Sequence, residues 1–172
     1  MKAYEPLKPV DIAVGLRLAE APEAKYAQLS ADLGISSSTA HGSVQRLESA
    51  GLIRPGSRAV NGLAFREFLE HGVRYAFPAR PGEEARGVPT AHAAPPLSSH
   101  IVAEDVFVWP SVSGHSSGQS VAPLYPAAIE LPQRCPSVYE SLALVDALRV
   151  GRARERQLAV EALDRKLQAA VA

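Results

Sequence analysis

The chain contains one cysteine and therefore no internal partner for it to oxidise with. Cys135 excludes an internal disulfide framework and suits a reducing compartment. It stands before Pro136 with no second cysteine at a CxxC spacing, which reads as a structural thiol rather than a redox centre. Long apolar runs are missing as well. No stretch has the length that a bilayer-spanning helix needs, and no apolar leader follows the first residues, so the expectation is a cytoplasmic protein without membrane contact. Net charge is zero, with 18 Lys and Arg against 18 Asp and Glu over 172 residues. Basic residues also vanish locally, none falling between Arg86 and Arg134. No tandem repeat is visible.

Catalytic signatures are lacking too. The five histidines, at 41, 71, 92, 100 and 115, fall in no HExxH pattern and in no paired set with cysteine. No GxSxG elbow is present. The stretch RPGEEARG has glycines but lacks the lysine and helix start of a phosphate loop. His92, inside TAHAAPP, reads as a loop histidine bonded to backbone. These absences predict no catalytic residue, no metal site and no cofactor.

What is present is a 47% hydrophobic chain able to pack a core, arranged in three parts. Helical periodicity dominates residues 1–77. In KPVDIAVGLRLAEAP, Pro9 suits a first helical turn and Val10, Ile12, Ala13, Val14, Leu16 and Leu18 make a broad apolar surface that Pro22 ends. KYAQLSADLG places Tyr26, Leu29 and Leu33 on one face, with Gly34 as terminator. Ser36 then caps a third run over residues 36–50, in which Ala40, Val44 and Leu47 form a narrow inward stripe and Gly51 ends the helix. The remaining faces carry serines, His41, Gln45 and Arg46, a polar set with little charge. Two short helices around a glycine turn make a helix-turn-helix, and the following LIRPGSR supplies a short wing. No return strand is obvious after the wing. Asn61 instead caps GLAFREFLEHG, with Phe65, Phe68 and Leu69 on one face and Gly72 as terminator.

Residues 78–135 are proline-rich. VRYAFPA, at its boundary, and DVFVWP are β-branched and aromatic runs that predict short strands, so the segment reads as ordered and irregular rather than disordered. SGHSSGQS reads as its most mobile loop. Residues 136–172 return to helix. Pro136 opens a run with Val138, Leu142, Val145 and Leu148, Gly151 interrupts it, and Val160, Leu163, Leu167 and Val171 follow at helical spacing. Arg149, Arg152, Arg154 and Arg156 between the two runs read either as a solvated face paired to Asp146 and Glu155 or as contacts to phosphate or an acidic partner. The fold class predicted is mainly α with short β (α+β).

Leu33, Gly34, Ser36, Ser38, Thr39, Val44, Arg46, Leu47, Glu48, Gly51, Leu52 and Ile53 together resemble the DNA-binding domain of bacterial winged helix-turn-helix regulators of the MarR and IclR type. The resemblance is confined to residues 9–54. It implies a transcriptional regulator that binds double-stranded DNA through residues 36–50 as a homodimer. Phosphate contacts would come from Ser36, Thr39, Arg54 and Arg58, and base-edge contacts from Ser37, Ser38, His41, Gln45 and Arg46. Gly42 departs from the usual polar residue, leaving either close packing or close approach to DNA as its reason. Charge is a second departure: residues 1–60 carry seven Lys or Arg against six acids, little for a DNA-binding domain. The alternative is a winged-helix interaction module, an antitoxin-like or adaptor subunit that holds a protein partner through its central and C-terminal segments. The terminal apolar stripe needs a partner, either its own domain or the same helix of a second subunit, and the homodimer is expected to be built largely from residues 137–171.

Overall fold

The computed structural model of the chain describes residues 5–169. Its first three helices, α1 (Pro9–Glu20), α2 (Tyr26–Leu33) and α3 (Ser37–Ser49), fall where the apolar spacing put them. Their local chemistry is complete. Asp11 accepts the Lys8 backbone N–H at 2.7 Å and so caps α1, Gly34 ends α2 with φ 65°, and Ser36 caps α3 by accepting the Thr39 N–H at 3.0 Å. Ala40, Val44 and Leu47 are buried as a stripe, together with Ile12, Leu18, Leu29 and Leu33 from the two preceding helices.

After α3 the chain makes a very short wing. Ile53 and Val60 form a single antiparallel bridge, closed by Arg54 N–H donating to the Ala59 carbonyl at 2.8 Å. Helix α4 (Gly62–His71) follows, capped by Asn61. VRYAFPA does not form a strand. Residues Val73–Ala76 make a further helical turn, α5, straight after Gly72. The turn drives Val73 fully into the core and sets Phe77 edge-on to Phe68, 6.5 Å between ring centroids, which an alternating strand would not do.

Three strands come next: β1 (Glu84–Thr90), β2 (Phe107–Pro110) and β3 (Ser116–Ser120). β2 is the strand expected from DVFVWP. β3 lies in SGHSSGQS, which is therefore paired structure and not a loose loop. Strand β1 is antiparallel to both β2 and β3, and these two pair in parallel, so the unit closes on itself. Glycine makes closure possible: a Cβ on Gly118 would lie 2.3 Å from the Val106 carbonyl oxygen, and one on Gly87 2.0 Å from that of Trp109.

The 3-10 turn Pro126–Glu130 and the short helix α6 (Leu131–Arg134) lead into α7 (Pro136–Val150), which is buried on almost every side. Its Asp146 joins the strands to the helices. One carboxylate oxygen accepts from Thr90 Oγ1 at 2.7 Å and Trp109 Nε1 at 2.6 Å, and the other from Arg149 Nη1 at 2.6 Å. Burial pushes this carboxyl above the usual carboxylate range, and the Arg149 charge and the hydroxyl and indole donors pull it down. Arg149 is itself buried there, so it belongs to the core and not to a solvated basic face.

Gly151 separates α7 from α8 (Ala153–Ala169). Helix α8 lies against α7 and α4, with Leu163 and Leu167 buried and Val160 half-buried. The terminal stripe is thus covered by the chain's own helices, which removes the reason for assigning it to a second subunit. Val171 lies outside the described residues. One core cluster takes residues from all three parts of the sequence. No helix among the described residues is long and apolar enough to cross a membrane.

Candidate nucleic-acid interface

α3 divides cleanly into two sides. Ser37, Ser38, His41, Gln45 and Ser49 are exposed, whereas Ala40, Ser43, Val44, Arg46 and Leu47 are buried. The exposed set recurs every three or four positions, so it forms one polar face along the helix. Ser36 and Thr39 stand at its N-terminal end, joined by a 2.8 Å hydroxyl–hydroxyl hydrogen bond. Orphan backbone N–H groups and the positive end of the helix dipole collect there, which favours an anion.

Arg46 is a correction. The sequence places it among the base-reading residues, but its side chain turns inward. Nε and Nη2 donate to the two carboxylate oxygens of Asp11 at 2.8 and 2.7 Å, and Nη1 reaches Glu5 at 3.3 Å. Asp11 is wholly buried, so removing the pair's cation would strand a carboxylate in the core. Hydrogen bonding to Asp11 raises the Arg46 pKa against the opposing effect of burial, and the guanidinium stays charged. It holds α3 to α1 and is not available to a base.

The same guanidinium lies close to Gly42. A Cβ at that position would come within 3.1 Å of Arg46 Nη1. The glycine thus packs closely against the guanidinium, and any side chain there would have to displace Arg46 slightly.

The wing is tied to α3 through an aromatic that the sequence had assigned only to the core face of its helix. The Tyr26 ring lies 5.2 Å from that of His41 and 5.3 Å from the Arg58 guanidinium carbon. Arg58 also donates to the Ala24 carbonyl at 2.8 Å and adopts φ 54°, an uncommon conformation for a residue with a side chain. One end of its guanidinium is thus committed to the domain, and the remaining N–H groups can meet an anion. Arg54 is exposed on the wing and borders a cavity shared with Leu18, Ala59, Val60 and Leu167. Tyr26 left a sequence signal, an aromatic at the first position of a short helix, but its two partners are 15 and 32 residues away.

Two further cations of this part of the chain are spent on carboxylates. Arg17 pairs with Asp32 at 2.8 Å and Lys8 with Glu5 at 2.8 Å. That second contact, chiefly its hydrogen bond, holds the Glu5 carboxyl below the ordinary range. The face around α3 is polar and hydrogen-bonding, with Arg54 and Arg58 on the wing beside it and exposed Lys25 just before Tyr26.

Residues 16–54 match the family of winged helix-turn-helix DNA-binding domains. The match runs from within α1 into the wing and supports a DNA-binding regulator over a catalytic role. No curated protein and no solved structure matches the chain.

Proposed function

We propose that the protein is a sequence-specific regulator that reads double-stranded DNA with α3 in the major groove. The observation that carries this reading is the undivided polar face of Ser37, Ser38, His41 and Gln45, exposed on a helix whose opposite side is locked into the core. Gln45 has the amide geometry to pair with an adenine edge, and His41 and the serine hydroxyls can donate or accept at either base pair. Ser36 and Thr39 at the helix N-terminus, with Arg54 and Arg58 on the wing, hold the phosphates and set the register. The likeness to MarR- and IclR-type domains supports the same division of roles.

Two copies on a two-fold site complete the proposal, because one short helix reads only a few base pairs. Their contact lies outside the stripe of Leu163 and Leu167, which α4 and α7 cover. Selection of bound fragments from random duplex DNA by the full chain tests the reading, with light scattering to give its mass. Enrichment of a two-fold motif by a dimer is the expected outcome. A pool without enriched sequence would overturn sequence-specific reading, and a monomeric protein would overturn the pairing.

A further inference from the structure

Tyr26 is the first residue of α2 and is half-buried, its side chain packed against the core. Two side chains from other elements meet its ring. The His41 imidazole, exposed on the polar face of α3, lies 5.2 Å away between centroids and is tilted by 59°. The Arg58 guanidinium carbon, from the wing, lies over the ring at 5.3 Å from its centroid. Arg58 is held from a second side as well, because Nη1 donates to the Ala24 carbonyl at 2.8 Å, just ahead of α2.

The wing needs such a hold. Ile53 and Val60 form its single β-bridge, and the bond from Gly56 N–H to Glu48 Oε1 on α3 is long at 3.4 Å. His41 has a related need. An exposed imidazole on a helix otherwise moves among its rotamers, and ordering it at the moment of binding costs affinity. The Tyr26 ring meets both needs at once. Its electron-rich face attracts the guanidinium, and a tilted arrangement is a favoured way for two rings to meet.

We propose that Tyr26 is a positioning residue for DNA reading: one ring holds His41 for a base edge and Arg58 for the backbone, and so fixes the register between the two contacts. The inference rests on the proposal that α3 reads bases, and it has Tyr26 act through these two residues. Phosphate contacts support a sequence choice only when they are held in register with the base contacts. Both interactions use the ring and not the hydroxyl, so phenylalanine should serve in its place. Leucine would still pack against the core but offers no π face. A side chain that only filled the core would change stability when replaced and leave sequence preference alone.

Fluorescence anisotropy of the full chain, as parent, Tyr26→Phe and Tyr26→Leu, with the selected duplex and its single-base variants tests the proposal. Chemical denaturation establishes that each protein is folded under the assay conditions. Tyr26→Leu should lose about two- to fivefold of the discrimination at the base pair that His41→Ala affects, and about as much affinity per bound copy for all sequences, the size that an exposed cation–π contact supports. Tyr26→Phe should match the parent on both counts. The first loss should vanish in a His41→Ala background and the second in an Arg58→Ala background. Proton NMR of the parent covers the case in which Tyr26→Leu fails to fold. Overhauser contacts should join the Tyr26 ring to the His41 ring and to the Arg58 side chain, both with and without DNA. Discrimination and affinity unchanged in folded Tyr26→Leu, losses that persist in both backgrounds, a Tyr26→Phe protein as impaired as Tyr26→Leu, or a parent without these Overhauser contacts would overturn the inference alone. A parent that selects no sequence, or a His41→Ala protein that selects like the parent, would overturn the reading of α3 at this position and the inference with it.

Discussion

Arg46 and Asp11 form a two-point ion pair across 35 residues of sequence, with guanidinium nitrogens 2.7 and 2.8 Å from the carboxylate oxygens. A residue that the sequence places among the base-edge contacts is the one that fixes α3 to its support. Arg46→Ala should therefore destabilise the fold by about 3–5 kcal/mol, because Asp11 would be left charged and unpaired in the core. Asp11→Leu combined with Arg46→Met should recover most of that loss. Chemical denaturation of the three proteins measures both effects. A stable Arg46→Ala protein with altered sequence preference would return Arg46 to the DNA face.

Gln45→Ala and His41→Ala should leave stability within about 0.5 kcal/mol, as expected for exposed positions. Their effect should appear in sequence preference: a selected site should lose about 1–3 kcal/mol of discrimination at the affected base pair. Fluorescence anisotropy with the selected duplex and single-base variants reads this directly. Equal discrimination by parent and variants would leave α3 without a reading role.

Salt dependence should be shallow for a DNA-binding protein. With Arg54 and Arg58 of each of two copies on the duplex, four phosphate contacts, the slope of log affinity against log salt should be about −3.6. Arg58→Ala, which removes one contact from each copy, should flatten it by about two units and weaken binding to all sequences alike. Titrations at several salt concentrations decide the matter. A slope several units steeper would mean that cations outside this face touch the backbone.

Alkaline pH should loosen the core through buried tyrosines. Burial pushes the Tyr139 hydroxyl up to about 12, while it donates to the Pro89 carbonyl at 2.7 Å. Because the folded value is raised above the ordinary value of about 10, the stabilisation is fully present below pH 10 and is lost as pH rises towards 12. Tyr125, bonded to the Leu33 carbonyl, is shifted the same way. Denaturation midpoints should thus fall more steeply between pH 10 and 12 in the parent than in Tyr139→Phe. Parallel curves would mean that Tyr139 ionises as easily in the fold as in the unfolded chain.

Helices α1, α2 and α3 were legible because their information is local: apolar residues at helical spacing, a serine cap, and glycines at the ends. The role of Arg46 was not, since nothing near it in the sequence points to a carboxylate on α1. Strands β1 and β3 were hidden for another reason. Their pairing rests on Gly87 and Gly118, where two backbones nearly touch, and their polar residues lack the alternation by which a strand announces itself. VRYAFPA erred the other way, its aromatic and β-branched residues favouring a strand until the burial of Val73 and the Phe68–Phe77 contact made helix the better packing. His92 was read correctly as bonded to backbone, its Nε2 lying 2.6 Å from the Asp105 carbonyl oxygen.

The mutual pairing of β1, β2 and β3 bears on how the chain behaves when crowded. A flat two- or three-stranded sheet offers rows of unpaired amides at its margins, onto which a stray segment of another molecule can add. Here each strand already has both of the others as neighbours, so the unit gives an incoming strand little to copy. The same arrangement makes Gly118 a weak point. Any side chain there would meet the Val106 backbone, part the strands, and turn a closed ring of bonds into an open template for aggregation.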